Sequence, residues 1–243
     1  MDGFRRAALA YRLVIDLAQW QQQEFVLSLE QAHYLQRVLR LQVGDRFVAL
    51  DGRGAARMAQ LTPTGARLLE ALAIATELPI AVQLLVALPK GSGFEDIVRC
   101  CTELGVTALQ PIISDRTLLK PSANRHQRWQ KIAQEAAEQC ERAIVPHIGL
   151  PDDFLAVLAA LKPSSAARYI CVARHNAPHL LAVLEPGQDA TIATGPEGGW
   201  SEREIQGAIA VGFQPVTLGR RILRAITAPI AALTLVAAVA EKS

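Results

Sequence analysis

ATGPEGGWSEREIQ, residues 193–206, sets a proline and three glycines directly ahead of a helix start. Ser201 suits the N-cap and Glu204 the N3 position of a capping box, and Trp200 and Ile205 suit the N′ and N4 positions of a hydrophobic staple. Together they predict a helix that begins at Glu202 and ends at Gly212. Upstream, ATIAT (190–194) reads as a strand. A glycine-rich loop between a strand's C-terminal end and a helix is where α/β sheets hold ligands. Glycine serves an ordinary tight turn as well, and the segment alone leaves both readings open. It matches neither GxxxxGK[ST] nor GxGxxG, and Glu197 in mid-loop would repel a pyrophosphate.

The pattern then repeats. QPVTL (214–218) reads as a strand, GRRILR (219–224) as a loop, and TAPIAALTLVAAVA (227–240) as a helix with Pro229 in its first turn. If the two strands are parallel neighbours, both loops meet at one sheet edge. Arg220, Arg221 and Arg224 then stand ready for an anionic partner, or simply solvate the surface.

Working back, AVQLLVAL (81–88), TALQPIIS (107–114) and RYICVA (168–173) read as buried strands. Three helices lie among them. In SGFEDIVRCCTELG (92–105), Phe94, Ile97, Val98, Cys101 and Leu104 share a face and Gly105 marks the end. NRHQRWQKIAQEAAEQCER (124–142) has Asn124 as its cap and Trp129, Ile132, Ala133, Ala136 and Cys140 inward. PDDFLAVLAAL (151–161) is the third. Continuous apolar strands alternating with helices predict an α/β fold with a mostly parallel sheet covered on both faces. The chain before this region is small and mostly β. EFVLSL (24–29) is strand-like, and EQAHYLQRVLRL (30–41) suits a helix with Ala32, Leu35, Val38 and Leu39 inward. DRFVALDGRGAARMAQL (45–61) suits two strands about an Asp51-Gly52 turn. The pattern changes near residues 75–80, which divides the chain into domains 1–77 and 78–243.

With 51% apolar residues in 243, the chain can build a real core, and disorder is excluded. The uncharged run Ala225–Ala240 reads as a buried helix rather than a membrane span. The N-terminus lacks the features of a secretory signal, so a cytoplasmic protein is expected. The four cysteines form no CxxC, and the five histidines form no HExxH. Pro178 prevents His175 and His179 from sharing a helix face, so no metal is expected. A net charge of +2 excludes a general basic field, but the cations cluster. Arg5, Arg6 and Arg12 open the chain, followed by Arg37 and Arg40. Arg116, Lys120, Arg125, His126, Arg128 and Lys131 then lie close together, a pattern that suits a phosphate-binding patch and a solvated surface equally.

TGPEGGWSEREI, GFQPVTLGRRILR and TAPIAALTLVAA closely resemble the C-terminal signature of the bacterial ribosomal RNA methyltransferases that modify N3 of a small-subunit uridine, the RsmE family of the SPOUT superfamily. HYLQRVLRLQVGDRFVALDGRG, LPKG…FEDIVRCCTELGVTALQPIISDRT and RWQKIAQEAAEQCERAIVP resemble its earlier motifs, so the similarity spans nearly the whole chain. The resemblance implies a small N-terminal PUA-like β-barrel that binds RNA (1–77). It implies an α/β SPOUT methyltransferase domain (78–243) whose C-terminal segment forms a trefoil knot. It further implies S-adenosylmethionine as methyl donor, a homodimer, and 16S ribosomal RNA in the assembled 30S subunit as substrate. By motif match, the donor would be held by Thr194, Gly195, Pro196, Glu197, Gly198, Gly199, Leu218, Gly219, Ile222 and Leu223, with residues 172–176 adjacent. Arg221 and Arg224 would act on the uracil, whose N3 must lose its proton. Arg37, Arg40, Arg116, Arg125, Arg128 and Arg142 would contact RNA.

Three positions in two motifs depart from the family pattern. Ala225 and Ile226 replace a hydroxyl and a carboxylate, and Cys100 replaces a lysine. They motivate an alternative, an RNA-binding ribosome-assembly factor that kept the fold without the chemistry. Another is a SPOUT enzyme with a different target base.

Overall fold

The computed structural model describes residues 11–117, 123–173 and 175–242, apart from the side chains of Ala123 and Asn124. Arg5, Arg6, Lys120, Arg174 in the 172–176 loop and the expected Asn124 cap therefore lie outside what is described. Contacts divide the chain into two units, residues 1–77 with 137–145, and residues 78–136 with 146–243.

The first unit is built on strands β1 (Arg12–Val14), β2 (Glu24–Phe25), β3 (Arg46–Leu50), β4 (Ala56–Thr62) and β5 (Gly65–Leu72), in the order β1-β3-β4-β5-β2. β1 runs parallel to β3 and the remaining pairs are antiparallel. Asp51 Oδ1 closes the β3–β4 turn by accepting the Arg53 and Ala55 N–H groups at 2.8 and 2.9 Å. Both sheet faces are covered. Phe47 and Ala49 join Leu13, Ile15, Phe25 and Leu35 in one cluster, while Val48 and Leu50 join Ala56 and Ala143 in another. The short helices are α1 (Leu17–Trp20) and α2 (Leu29–Ala32).

Two local expectations fail here for identifiable reasons. The strand predicted at 24–29 stops at Phe25, because Ser28 and Gln31 form a capping box: Gln31 N–H donates to Ser28 Oγ at 3.2 Å and Ser28 N–H to Gln31 Oε1 at 2.9 Å. The helix that follows passes into a π-helical turn, His33–Val38, with Leu39 N–H donating to Tyr34 O at 2.9 Å. Bonding from i+5 rather than i+4 rephases the side chains. Val38, expected inward, is 56% exposed, and Tyr34, Leu35, Leu39 and Leu41 pack inward.

Segment 137–145 is tied to this unit by an ion pair. The Arg142 guanidinium, 3% exposed, donates to Glu77 Oε2, and Glu77 Oε1 accepts the Ala143 and Ile144 N–H groups.

The second unit has strands β6 (Val82–Ala87), β7 (Ala108–Ile113), β8 (His147–Ile148), β9 (Asp152–Asp153), β10 (Ala167–Cys171), β11 (Ala190–Thr194) and β12 (Gln214–Val216). Their order is β12-β10-β11-β6-β7-β8, with β9 also on β7, and every pair is parallel. Helices α3 (Gly93–Glu103), α4 (Ala123–Gln139), α5 (Phe154–Ala160), α6 (Glu202–Ala210) and α7 (Thr227–Ala240) accompany them. Phe154 and Leu158 of α5 and Ile205 and Ala208 of α6 pack on Leu85, Ala87, Ile170 and Ala193. Meanwhile α3 packs on α7, and α7 on β6 and β11. Leu84, Leu85, Val86 and Ala87 are all fully buried, as a strand covered on both faces requires.

β11 and β12 are parallel but not neighbours, so the condition considered from the sequence is met only in part: β10 lies between them. Pro215 supplies the reason. It has no N–H for a ladder, which confines its strand to an edge, and β12 is that edge. The loops after β10, β11 and β12 therefore meet at the same end of the sheet, and three loops rather than two frame the space beyond it.

Candidate active site

The loop at 195–199 is held rigidly from every side. Downstream, α6 starts as predicted: Glu204 N–H donates to Ser201 Oγ at 3.3 Å and Ser201 N–H to Glu204 Oε2 at 2.8 Å. Glu204, 1% exposed, also accepts the Asp115 N–H at 2.9 Å. The Ser201 hydroxyl donates to Asp115 Oδ2 at 2.6 Å, and Arg203 grips the same carboxylate. The Ser201 hydroxyl, and after it Arg203, hold the Asp115 carboxyl below the usual range. Trp200 stacks on Phe154 with ring centroids 4.5 Å apart, and its indole N–H donates to Cys171 O at 3.0 Å. Cys171 thus contributes its carbonyl; burial pushes its thiol up to about 12, which leaves it protonated at neutral pH.

The three glycines each meet a separate demand. Gly199 has φ +71°, in the left-handed region, and its N–H closes a turn on Pro196 O at 2.9 Å. A Cβ on Gly195 would lie 3.1 Å from the Trp200 ring, and one on Gly198 3.2 Å from Arg116 Cβ. Arg116 reaches across and donates to Gly198 O at 2.7 Å. Glu197 turns away from the loop and accepts the Lys90 backbone N–H at 3.0 Å.

Beyond this loop opens a cavity of about 1150 Å³, somewhat above the ~300–1,000 Å³ typical of small-molecule sites. Residues 195–199 form one wall and residues 217–225 the other, with Val172, Ala173 and His175 between. Eleven of the twelve cofactor-binding and catalytic residues expected from the sequence line it, all but Thr194. Thr194 is fully buried in β11, behind the wall, where its Oγ1 has no hydrogen-bond partner among the described residues. Arg220, Arg221 and Arg224 are exposed. The wall is backbone and apolar side chains, and the cations stand along residues 220–224. This arrangement suits a flat heterocycle beside a second, electron-rich reactant, and it offers no phosphate cradle.

Of the six arginines expected on RNA, Arg116 alone lines the cavity. Arg37 and Arg40 are exposed in the first unit. Arg125 donates to Gly91 O at 3.0 Å, and Arg128 pairs with Glu95 at 2.8 Å. Arg142 is buried in its pair with Glu77. Neither Cys100 nor Ile226 lines the cavity. Ile226 packs on Gly93, with its Cδ1 2.6 Å from where a Cβ would stand. Among the described residues no group of three His, Cys, Asp or Glu could hold a metal ion, and no helix is long and apolar enough to cross a membrane.

Sequence reading missed Asp115 as the anchor of the α6 start and Lys90 as the partner of Glu197. The signal for Asp115 was available, since it lies two residues beyond the C-terminal end of parallel strand β7. Nothing local marks Lys90, which acts through its backbone.

Comparison with known proteins fits this geometry. Residues 76–237 match the RNA methyltransferase domain family, and residues 28–72 match the RNA methyltransferase PUA domain family. The chain is 50% identical over 240 residues to ribosomal RNA small subunit methyltransferase E of Synechocystis sp., covering 96% of this chain and 79% of that protein. It is 30% identical over 245 residues to the Bacillus subtilis protein of the same name, covering 92% and 94%. The crystal structure of ribosomal RNA small subunit methyltransferase E from Neisseria gonorrhoeae bound to S-adenosyl methionine superposes with a TM-score of 0.83 at 31% identity, covering 95% of this chain and 98% of that one.

Proposed function

Since the chain belongs to the ribosomal RNA small subunit methyltransferase E family, we propose that it transfers a methyl group from S-adenosylmethionine to N3 of a uridine in 16S ribosomal RNA. The substrate we favour is the assembled 30S subunit, the active form a homodimer, and the location the cytoplasm. The observation that carries the reading is the convergence of three strand-end loops on one cavity whose glycine wall is already ordered.

The cavity's residues fit the donor. A Cβ on Gly195 or Gly198 would press on Trp200 or Arg116, so the wall there can only be backbone. Leu218, Ile222 and Leu223 offer apolar surface to an adenine, and the absence of a phosphate cradle agrees with a ligand that has no phosphate. The volume leaves room for a base beside it. Bound there, S-adenosylmethionine would supply an electrophilic methyl group on a sulfonium.

The protein's part is to present the base and hold charge. Uracil N3 lies on the pairing edge, so the target must be unpaired or flipped into the cavity. Removing its proton leaves negative charge across O2, N3 and O4, which Arg221 and Arg224 would stabilise. Among the described residues Glu197 is the only acid on the cavity wall, and it already accepts the Lys90 N–H. Charge stabilisation by guanidinium groups is therefore the favoured route to the anion. Residues 1–77 would serve as the PUA-like RNA-binding domain, with Arg37 and Arg40 on phosphates, and residues 78–243 as the methyltransferase domain with Arg125 and Arg128 on the RNA.

Nucleoside mass spectrometry of small-subunit RNA, from cells with and without the gene, tests this directly. Loss of 3-methyluridine in the deletion, restored by purified protein and S-adenosylmethionine acting on 30S subunits, is expected. An unchanged nucleoside profile would refute the assignment.

A further inference from the structure

Among the cavity side chains that the roles above leave unused is His179. His179 precedes a 3₁₀ turn, Leu180–Ala182. Thr217 N–H donates to Pro178 O at 2.8 Å and Leu180 N–H to Thr217 O at 2.9 Å, which lays His179 parallel beside the end of β12. Its ring is then set by a second contact, in which Leu181 N–H donates to His179 Nδ1 at 3.2 Å. A ring nitrogen that accepts carries no hydrogen, so the neutral imidazole holds its proton on Nε2. Nε2 has no hydrogen-bond partner among the described residues. It stands 4.0 Å from the point where Gly219 would carry a Cβ, and both residues line the cavity. Gly219 has φ +111° and no side chain, which leaves the space in front of the ring open.

We propose that His179 binds the methyl donor, its Nε2–H donating to a nitrogen or oxygen acceptor of S-adenosylmethionine seated against Gly219. This rests on the function proposed above. Leu218, Ile222 and Leu223 give that part of the wall little direction of its own. A single fixed donor sets the orientation of a ligand that apolar contact alone would let slide. The competing role is purely structural, with Nδ1 capping the 3₁₀ turn and Nε2 idle.

Two substitutions separate the roles, because asparagine places its Oδ1 near the Nδ1 position and glutamine places its amide nitrogen near Nε2. His179→Asn keeps the cap and removes the cavity donor; His179→Gln does the reverse. Titration calorimetry of the full chain with S-adenosylmethionine and with S-adenosylhomocysteine, alongside thermal melts, reads both. His179→Asn is expected to bind each ligand about five- to tenfold more weakly at an unchanged Tm, the loss of one hydrogen bond. His179→Gln should bind more tightly than His179→Asn despite a lower Tm. Wild-type affinity in His179→Asn, or the reverse order of the two variants, overturns the proposal. A wild-type protein that binds neither ligand overturns the functional reading as well, so the two failures are told apart.

Discussion

Glu197 and Lys90 join two loops that are far apart in sequence: the carboxylate in the middle of the glycine loop accepts the backbone N–H of the residue that follows Pro89, at 3.0 Å. The acid that speaks against a pyrophosphate is thus a strut that keeps the wall in shape. Glu197→Ala removes it and leaves the loop to be ordered at the donor's expense. Ordering one such group costs ~0.5–1.5 kcal/mol, so S-adenosylmethionine affinity is expected to fall by about three- to tenfold in calorimetry. Glu197→Gln keeps an accepting oxygen and should bind close to wild type. Equal affinity in the alanine variant would mean that Arg116 and Trp200 hold the loop without it.

Trp200 contributes to stability in two separable ways. It stacks on Phe154 and is only 8% exposed, and its indole N–H satisfies Cys171 O. Trp200→Ala loses both and leaves a cavity beside Gly195, for an expected loss of ~3–5 kcal/mol in denaturant unfolding. Trp200→Phe keeps a ring on Phe154 and forfeits the hydrogen bond, so the smaller loss of ~1–3 kcal/mol reports chiefly an unsatisfied carbonyl. Similar values for the two variants would show that the aromatic stack contributes little.

Arg224 is exposed, as is Arg221, and neither side chain makes a hydrogen bond or ion pair among the described residues. Replacing such residues changes stability by less than ~0.5 kcal/mol. A preorganised donor aimed at developing charge is worth ~10²–10³ in rate. Arg224→Ala is therefore expected to lower methylation of 30S subunits about a hundredfold while the Kd for S-adenosylmethionine stays within about twofold. Loss of donor binding in that variant would move Arg224 from the base to the cofactor.

What was legible in the sequence had local causes. The start of α6 follows from Ser201, Glu204, Trp200 and Ile205 within six residues of one another: the first two form the capping box their spacing predicts, and the other two are buried in one core cluster. The parallel, doubly covered sheet follows from continuous apolar strands. Most of the cavity wall was also legible, because it is made of strand-end loops that announce themselves by their glycines. Long-range placement was not. Nothing in QPVTL alone says that β10 separates its strand from β11, although Pro215 barred it from the interior of the sheet. The π turn at 33–38 obeys no heptad or strand period, so Val38 was misplaced. Arg116 and Glu197 were identified by type alone, and their partners, Gly198 O and Lys90 N–H, are backbone groups that carry no sequence signature.

Asp115 gives the site's scaffold a pH dependence. Its carboxyl accepts the Ser201 hydroxyl and the Arg203 guanidinium, which hold it below the usual carboxylate range. A carboxyl depressed in the folded state stabilises above its unfolded pKa, near 3.9, and that contribution disappears as pH falls through the lower folded value. Asp115→Asn removes the charge at every pH. The Tm difference between wild type and Asp115→Asn is expected to be full at pH 6–7, to shrink from roughly pH 4 downward, and to close in more acid solution. A difference that persists at low pH would mean that the amide fails as an acceptor for Ser201, independently of charge.

Gly93 and Ile226 test whether the departure at 226 is compensated by packing. Gly93 opens α3 and is buried. A Cβ there would meet Ile226 Cδ1 at 2.6 Å and Cγ1 at 2.9 Å, and Pro89 Cγ at 3.3 Å. Two effects oppose each other in Gly93→Ala. Helix propensity gains up to ~1 kcal/mol, while overpacking costs ~1–3 kcal/mol. The side chain in the way ends in a flexible methyl that can turn aside in part, which sets the net change in the wild-type background at about 0 to 2 kcal/mol destabilising. In an Ile226→Ala background the two closest contacts are gone and only Pro89 Cγ remains tight, so the same substitution should be less destabilising than in wild type, or stabilising. Ile226→Ala by itself removes a packed side chain and should cost stability. The four-member cycle measured by denaturant unfolding is therefore expected to give a coupling of about 1–3 kcal/mol. Additivity would mean that α3 shifts freely to accept the new methyl group, and that Ile226 fills its place without holding the 220–224 loop against that helix.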